Sequence, residues 1–309
     1  MPRKILLIDD DRLQFRLTQQ LFKAFVARDY ELDWQSNYED GLRALLAGDY
    51  TACLLDYRLG QRDGLELIQE ATEQGCRVPI IFLTAETGSA VDIQAMNSGA
   101  LDYLVKGEIN AAVLERSLRY ALKLGDTLEA LRKLATRDEL TGLLNRRVFD
   151  QTLDDERDRS ERFGRSFAVI LLDIDHFKQV NDTHGHPIGD TVLAEVARRL
   201  QSRVRTVDRV MRYGGEEFAV LMFECDATMA RELAQRLCAD IRKTPIETEH
   251  NSLSVTISAG IDMYPAHGKT KEALVTAADD ALYAAKSAGR DRAVMLATRP
   301  RNQHPETAR

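Results

Sequence analysis

The chain has 309 residues, of which 44% are hydrophobic and 29% charged, a usual mix for soluble globular protein and enough length for two domains. Its net charge of −7 argues against a general binder of nucleic acid or anionic membranes, and its longest apolar run, Phe167 to Leu172, is far too short to span a bilayer. The N-terminus has no signal-peptide pattern and the four cysteines form no CxxC pair. We therefore expect a cytoplasmic protein with reduced thiols, no zinc site and neither nucleic-acid nor membrane partners.

The first part of the chain alternates short apolar strands with amphipathic helices. The predicted strands are Lys4–Ile8, Tyr30–Ser36, Tyr50–Leu55, Pro79–Thr84 and Leu101–Val105. The predicted helices lie near Arg12–Ala27, Glu39–Ala47, Gly64–Glu73 and Gly88–Asn97, with a fifth from Glu108 onward. This alternation predicts a flavodoxin-like α/β domain with a parallel, doubly wound sheet, which binds ligands at the carboxyl ends of its strands.

Five side chains that could bind a metal ion or a phosphoryl group lie at or just after the ends of these strands. Asp9 and Asp10 come after the first, Asp56 ends the third, Thr84 the fourth and Lys106 follows the fifth. In a doubly wound sheet all of them collect at one edge. Crowded carboxylates need a cation, and oxygen ligands suit Mg²⁺. A carboxylate beside that metal can accept a phosphoryl group, whose oxygens the hydroxyl and the ammonium would hold.

With these motifs, residues 1–124 resemble the receiver domain of two-component response regulators. By that resemblance the acidic metal residues are Asp9, Asp10 and Asp56, the phosphoacceptor is Asp56, and the switch residues are Thr84, Tyr103 and Lys106. The resemblance also implies Mg²⁺ or Mn²⁺ and a histidine kinase or another phosphodonor. Two positions depart from the family pattern, because Gly60 and Gly107 stand where prolines are usual or frequent.

A proline-free segment, residues 108–135, predicts one long linker helix of roughly 40 Å. Its apolar residues recur at heptad-like spacing: Leu114, Leu118, Ala121, Leu128, Leu131 and Ala135. The apolar seam with charged flanks favours a parallel two-stranded coiled coil, and so a homodimer, over a solvated linker helix. Gly125 interrupts the seam.

The remaining segment, residues 136–297, predicts an α+β domain. Its expected strands are Phe167–Ile174, Arg209–Arg212, Glu217–Phe223 and Ser254–Ile261. Its expected helices are near Arg146–Phe163, Ile188–Val204, Met229–Arg242 and Lys271–Ser287. A hairpin around the paired glycines 214 and 215 implies antiparallel pairing, and the polar tail 298–309 is predicted to be disordered.

An acidic turn marks this second domain. Glu216 and Glu217 directly follow the glycine pair, and Asp173 ends an apolar strand. If Asp173 and Glu216 face each other across adjacent strands, they form the carboxylate pair needed for two-metal nucleotidyl transfer. The loop 174–178 offers backbone N–H groups to a triphosphate, while Lys286 and Arg290, four apart on one helix, would supply cations.

From about residue 138 to 296 the chain resembles the GGDEF family of diguanylate cyclases, which have a nucleotidyl-cyclase-like fold. Matching blocks are residues 138–147, 173–178, 181–186, 189–190, 214–218, 258–260, 281–286 and 289–290. By that resemblance the metal ligands are Asp173, Glu216 and the Ile174 carbonyl oxygen, and the substrate ligands are Asn181, Asp190, Lys178, Lys286 and Arg290. Glu217 holds a second metal or assists deprotonation of the attacking 3′-hydroxyl; both roles stay open.

The resemblance implies Mg²⁺ or Mn²⁺ as cofactor, GTP as substrate and cyclic di-GMP as product. Each domain would hold one GTP, so two domains must meet face to face. Arg205 and Asp208 form an Arg-x-x-Asp motif that in this family marks a product-binding inhibitory site; the alternative is a surface salt bridge. Two other functions are weighed: an inactive cyclic di-GMP receptor, disfavoured because the reactive residues are present, and a phosphorylation-dependent docking module.

Overall fold

The computed structural model describes residues 2–27, 29–85, 99–248, 252–266 and 268–297. The chain forms two compact units, Met1–Arg132 and Lys133–Arg309. The predicted helix Gly88–Asn97 and the predicted disordered tail 298–309 lie outside the described residues. Of the helices that are described, none is both long and apolar enough to cross a lipid bilayer.

The first unit is built on a parallel sheet. Its strands are β1 (Arg3–Ile8), β2 (Tyr30–Gln35), β3 (Ala52–Asp56), β4 (Arg58–Leu59), β5 (Arg62–Asp63), β6 (Ile80–Thr84) and β7 (Asp102–Val105), and its helices include α1 (Arg12–Lys23), α2 (Tyr38–Ala47) and α3 (Gly64–Glu73). Five strands pair in the order β2-β1-β3-β6-β7, each neighbour parallel to the next. This confirms the predicted doubly wound α/β fold. The small β4–β5 hairpin was not predicted, because two-residue strands carry no hydrophobic period.

Local sequence sets where this sheet stops and its helices start. Every residue of β3 and β6 is buried, as expected for central parallel strands that are covered on both faces. Asp11, Asn37 and Asp63 each precede a helix and accept a hydrogen bond from a backbone N–H of its first turn. These transitions place the acidic residues at the carboxyl edge of the sheet.

One helix, α4 (Ala111–Thr136), follows β7. It starts later than the predicted Glu108, because residues Lys106–Glu108 form a short 3-10 turn. Its early apolar residues Leu114, Leu118 and Ala121 are buried in the core of the first unit. Half of the predicted heptad seam is therefore occupied by the chain's own sheet.

The later part of α4 has a different surface. Leu124, Leu128 and Leu131 are 44%, 49% and 57% exposed, so any seam between two copies is confined to this stretch. Gly125 lies in the same stretch, and a Cβ there would come 2.5 Å from Pro79 Cγ. The glycine thus allows a close approach between α4 and Pro79, the residue directly before β6.

The second unit is a mixed sheet between two helical layers. Its helices are α5 (Arg146–Phe163), α6 (Phe177–His184), α7 (His186–Arg203), α8 (Ala227–Lys243) and α9 (Lys271–Ser287). Its strands are β8 (Phe167–Ile174), β9 (Arg209–Gly214), β10 (Glu217–Phe223), β11 (Ile246–Glu247), β12 (Ser252–Leu253), β13 (Ile257–Tyr264) and β14 (Ala293–Met295). The main sheet has the order β14-β13-β8-β10-β9 and is antiparallel except for the β13–β14 pair. This confirms the predicted α+β class and the hairpin at the paired glycines.

Strand β8 is the centre of that sheet, and all eight of its residues are buried. Ile170 and Leu172 pack in the core shared with α7 and α8, whereas Val169 and Leu171 pack in the core shared with α5 and α9. Side chains alternate along a strand, so the residue that follows in the second series, Asp173, faces the α9 side.

Three details of this unit differ from the sequence-based expectation. Helix α6 was not predicted, because it has only eight residues and its N-cap, His176, makes no side-chain capping bond. Strand β13 covers Ile257–Tyr264 instead of Ser254–Ile261. The three-residue strand β14 was also missed.

Candidate active site and phosphoacceptor site

The acidic residues of the first unit meet at one edge of its sheet, as predicted. Carboxylate oxygens of Asp9, Asp10 and Asp56 all lie within 4.8 Å of one another. The Lys106 ammonium lies 2.9 Å from Asp9 Oδ2 and 2.8 Å from Asp56 Oδ1. Three carboxylates against one ammonium leave an excess of negative charge, so this set of oxygen donors fits a divalent cation.

Burial shapes the protonation of this cluster. It raises the pKa of Asp56 from 3.8 to about 6 and also raises the pKa of Asp9, while hydrogen bonds from Lys106 act in the opposite direction. A carboxylate with a raised pKa is held at some cost to stability, as is common where a side chain is kept for chemistry.

The glycine that replaces the usual proline makes a contact of its own. Gly60 has a φ of 68°, and its N–H donates to Asp10 Oδ2 at 3.0 Å. Proline could supply neither the left-handed backbone nor the N–H. The departure from the family pattern therefore anchors the Asp10 carboxylate. At Gly107, the second departure, an added Cβ would meet open space.

The predicted switch residues lie on neighbouring strands. Thr84 is buried at the end of β6 and pairs in register with Val105 of β7. Tyr103, on β7, pairs in register with Phe82 and is 37% exposed. The hydroxyl, the aromatic ring and Lys106 are thus distributed along one edge of the sheet.

In the second unit the cross-strand partner of Asp173 is Glu217, so the expectation that Glu216 faces Asp173 directly was wrong. The turn extends over Gly215 and Glu216, and β10 begins only at Glu217. Glu216 adjoins the pair through its backbone, since its carbonyl oxygen accepts the Ile174 N–H at 3.3 Å. Strand β10 thus begins where the sequence predicted, and its register against β8 places Glu217, not Glu216, opposite Asp173.

Asp173 is paired with a lysine of α9. Lys286 Nζ lies 2.8 Å from Asp173 Oδ2. Burial raises the pKa values of Asp173 and Glu217; the neighbouring carboxylates raise them further, and Lys286 acts in the opposite direction. Among the described residues, only Asp9, Asp10 and Asp56 bring three carboxylates within 4.8 Å of one another. In the second unit Asp173 and Glu217 are two facing oxygen donors of the kind that a divalent cation prefers.

Arg212, which the sequence analysis did not single out, secures the acidic turn. Its Nε and Nη2 donate to the Gly215 carbonyl oxygen at 3.0 and 2.7 Å. Its Nη1 lies 3.0 Å from both carboxylate oxygens of Asp138. The only sequence signal was its position two residues before the paired glycines.

The predicted guanine ligands belong to the α6–α7 helix pair. Asn181 is half-buried on α6, and Asp190 is exposed on α7. Between them lies buried Gly189, where a Cβ would clash with Asn181 Oδ1 and lie 3.3 Å from Phe177 Cζ. The glycine therefore allows the amide to lie against α7, next to Asp190.

The predicted phosphate ligands come from two elements. Lys178 is exposed in the first turn of α6, shortly after β8. Lys286 lies in the last turn of α9, and Arg290 follows in the succeeding loop with a φ of 62°. The expectation that both cations share one helix is wrong, because α9 ends at Ser287.

The Arg-x-x-Asp motif is more than a surface pair. Asp208 is 3% exposed, and its carboxylate accepts the backbone N–H groups of Arg205 and Phe223, both at 3.3 Å. Among the ion pairs of the described ranges, none joins the Arg205 guanidinium to Asp208. A cavity of about 90 Å³ lies here, with Arg203 and Arg236 also in its lining.

Comparison with known families identifies the family of the domain that carries each site. A family model described as diguanylate cyclase, GGDEF domain, matches residues 135–292, just over half of the chain. The chain belongs to the GGDEF diguanylate cyclase family. A second model, for the response regulator receiver domain, matches residues 5–118. The GGDEF chain therefore carries a receiver domain ahead of its family domain.

Individual relatives agree with this architecture. Response regulator PleD of Caulobacter vibrioides is 36% identical over 243 residues, covering 75% of this chain and 53% of PleD. Diguanylate cyclase DgcP of Pseudomonas aeruginosa is 44% identical over 165 residues, covering 53% of this chain and 24% of DgcP. The chain thus spans about half of PleD and a smaller part of DgcP.

A solved structure of a GGDEF domain is similar to this chain. The coiled coil and GGDEF domain of DgcB from Caulobacter crescentus, in complex with c-di-GMP, is 31% identical with a TM-score of 0.55. The match covers 60% of this chain and 98% of that one.

Proposed function

We propose that this chain is a phosphorylation-regulated diguanylate cyclase, which joins two GTP molecules into cyclic di-GMP and releases two diphosphates. One observation carries the proposal. Asp173 and Glu217 lie opposite each other on adjacent strands, Glu216 adjoins them in the turn, and Lys286 lies 2.8 Å from Asp173. Together these groups supply what nucleotidyl transfer from a triphosphate requires: metal-binding oxygens beside a phosphate-binding cation.

The proposed metal ligands are Asp173, Glu216 and the Ile174 carbonyl oxygen, and GGDEF cyclases generally depend on a divalent metal. When bound, Mg²⁺ or Mn²⁺ would neutralise charge that develops on the reacting phosphate. Lys178, Lys286 and Arg290 would hold the triphosphate. Glu217, with its pKa raised by burial, is suited to accept the proton of the attacking 3′-hydroxyl, although binding a second metal is the competing role.

The base specificity proposed for Asn181 and Asp190 follows from hydrogen-bond chemistry. A carboxylate accepts hydrogen bonds only, and guanine offers N1–H and N2–H along its edge. Adenine offers a lone pair at N1, which would leave the carboxylate facing an acceptor at a cost of about 1–3 kcal/mol. GTP is therefore the proposed substrate.

The proposed regulation begins at Asp56, with a histidine kinase or another phosphodonor as partner. A new phosphoryl group there would engage Thr84 and Lys106, and α4 runs from this domain into the family domain. A phosphoryl mimic such as beryllofluoride should raise cyclase activity, and Asp56→Asn should block the rise. Equal activity with and without the mimic would contradict this regulation.

Feedback by the product is proposed at the Arg205-x-x-Asp208 site. The cavity beside buried Asp208 is lined by Arg203, Arg205 and Arg236, cations suited to product phosphates. A charge-assisted hydrogen bond is worth about 1.5–3 kcal/mol, so Arg205→Ala should weaken product inhibition by roughly one to two orders of magnitude. An unchanged inhibition constant would remove the feedback role.

The proposed activity is tested by incubating the purified chain with GTP and Mg²⁺ and identifying products by mass spectrometry. We expect cyclic di-GMP with two diphosphates per molecule, and far slower turnover of ATP. Binding of cyclic di-GMP with no turnover of GTP would instead favour the receptor function. Turnover of ATP and GTP at comparable rates would contradict the assignment of Asp190.

A further inference from the structure

The loop after α9 has a strained backbone. Gly289, Arg290 and Asp291 have successive φ values of 108°, 62° and 50°. Non-glycine residues are strained in this left-handed region, and they persist there only where surrounding contacts hold them. The middle residue is Arg290, a proposed phosphate ligand. The contacts that hold this loop therefore also determine where the guanidinium can go.

One such contact comes from Asp175, the residue that follows β8. The Asp291 N–H donates to Asp175 Oδ2 at 3.1 Å. Asp175 is 5% exposed and also accepts the hydroxyls of Thr256 at 2.7 Å and Ser258 at 2.7 Å. Since Asp175 lies two residues after Asp173, it ties the end of β8, the start of β13 and the strained loop together.

A second contact comes from the end of α8. Arg242 Nη1 lies 2.6 Å from Asp291 Oδ2. Arg242 is in the last turn of α8 and its side chain is 56% exposed. The backbone of Asp291 is thus bound by the buried Asp175, and its side chain is bound by the exposed Arg242.

We infer that Asp175, Asp291 and Arg242 are positioning residues for Arg290, which fix the distance between its guanidinium and the carboxylate site at Asp173. The inference rests on the proposed function, in which Arg290 holds the substrate triphosphate. None of the three positioning residues need touch the nucleotide. Their effect would be transmitted through the backbone of the loop.

Arg242 offers the cleaner variant, because its exposed side chain can be shortened without opening the core, whereas Asp175→Ala risks unfolding. The test is calorimetric titration of the full chain, in Mg²⁺, with 3′-deoxy-GTP, which lacks the reacting hydroxyl. We expect Arg242→Ala to weaken binding about threefold to tenfold, with Arg242→Lys restoring part of it, because the loss of one positioned charge-assisted contact is only partial. Arg198→Ala removes another exposed arginine paired with a carboxylate, Glu195, and should bind as wild type.

A double-mutant cycle separates positioning from a general structural role. If Arg242 acts through Arg290, adding Arg242→Ala to Arg290→Ala should change affinity by less than about twofold. An equal loss in both backgrounds, or wild-type affinity of Arg242→Ala alone, would overturn the inference while leaving the proposed function standing. Failure of the wild-type chain to bind 3′-deoxy-GTP would overturn the proposed function, and this inference with it.

Discussion

At the scale of single residues, both sites follow the same electrostatic plan. Each buries a carboxylate, Asp56 or Asp173, and places one lysine ammonium 2.8 Å away. Burial raises the pKa of both acids in spite of the lysine. Under the proposed function these oxygens would serve phosphoryl chemistry, which would account for an arrangement that destabilises ionised carboxylates.

This plan predicts a pH-dependent gain of stability in Asp56→Asn. Folding raises the pKa of Asp56 from 3.8 to about 6. The free energy of unfolding of the wild type therefore falls as the pH rises from about 4 to about 6, and below this range Asp56 does not lower it. In chelator, the variant should gain about 1–3 kcal/mol in free energy of unfolding at pH 8 and almost nothing at pH 3.5. Urea denaturation at several pH values measures this, with the exposed Asp49→Asn as control. A gain that is independent of pH, or a loss at pH 8, would contradict the prediction.

Gly189 provides a second test at this scale. An alanine there should gain helix propensity yet displace Asn181, whose amide occupies the space of the missing Cβ. We expect Gly189→Ala to raise the KM for GTP about tenfold and to reduce the preference for GTP over ATP. Steady-state kinetics measure both. Gly107→Ala, which adds a methyl group into open space, should leave them unchanged. If Gly189→Ala has the kinetics of the wild type, Asn181 does not contribute to substrate binding.

At the scale of elements, the hydrophobic periodicity of the sequence predicts most of the helices and the longer strands. Apolar runs such as Phe167–Leu172 are buried strands, and long helices with caps fall near their predicted bounds. The register of β10 against β8 could not be predicted, because a shift of one residue decides whether Glu216 or Glu217 faces Asp173. The contact of Gly60 with Asp10 joins distant parts of the chain, so no local pattern contains it.

Helix α4 shows the same limit at Gly125. From propensity alone, Gly125→Ala should stabilise the helix by about 1 kcal/mol. Because the new Cβ would lie 2.5 Å from Pro79 Cγ, we expect instead a loss of about 1–3 kcal/mol in thermal or urea unfolding. Asp126→Ala, at an exposed neighbouring position, is the matched control. A more stable Gly125→Ala chain would show that Pro79 can move away from the new methyl group at little cost in free energy.

At the scale of the whole molecule, the proposed reaction joins two GTP molecules and would therefore require two family domains. We propose that a surface on α4 brings two copies together. Leu124, Leu128 and Leu131 are exposed on α4 with heptad spacing. Leu131→Asp should weaken self-association about tenfold or more, measured by sedimentation velocity, because each copy loses a buried leucine. Ala130→Asp, exposed one position outside the seam, should not. Dimers of unchanged affinity in Leu131→Asp would place the interface elsewhere.

In the proposed function, the acidic turn and Asp173 carry the conversion of GTP into cyclic di-GMP. The most direct measurement is the initial rate of cyclic di-GMP formation by the wild type, Glu216→Gln and the exposed control Glu272→Gln, with GTP and Mg²⁺. Removing one metal-binding charge while keeping side-chain volume should slow Glu216→Gln by about 100-fold or more. Wild type and Glu272→Gln should form product at equal rates. No product from the wild type, or a wild-type rate in Glu216→Gln, would contradict the account.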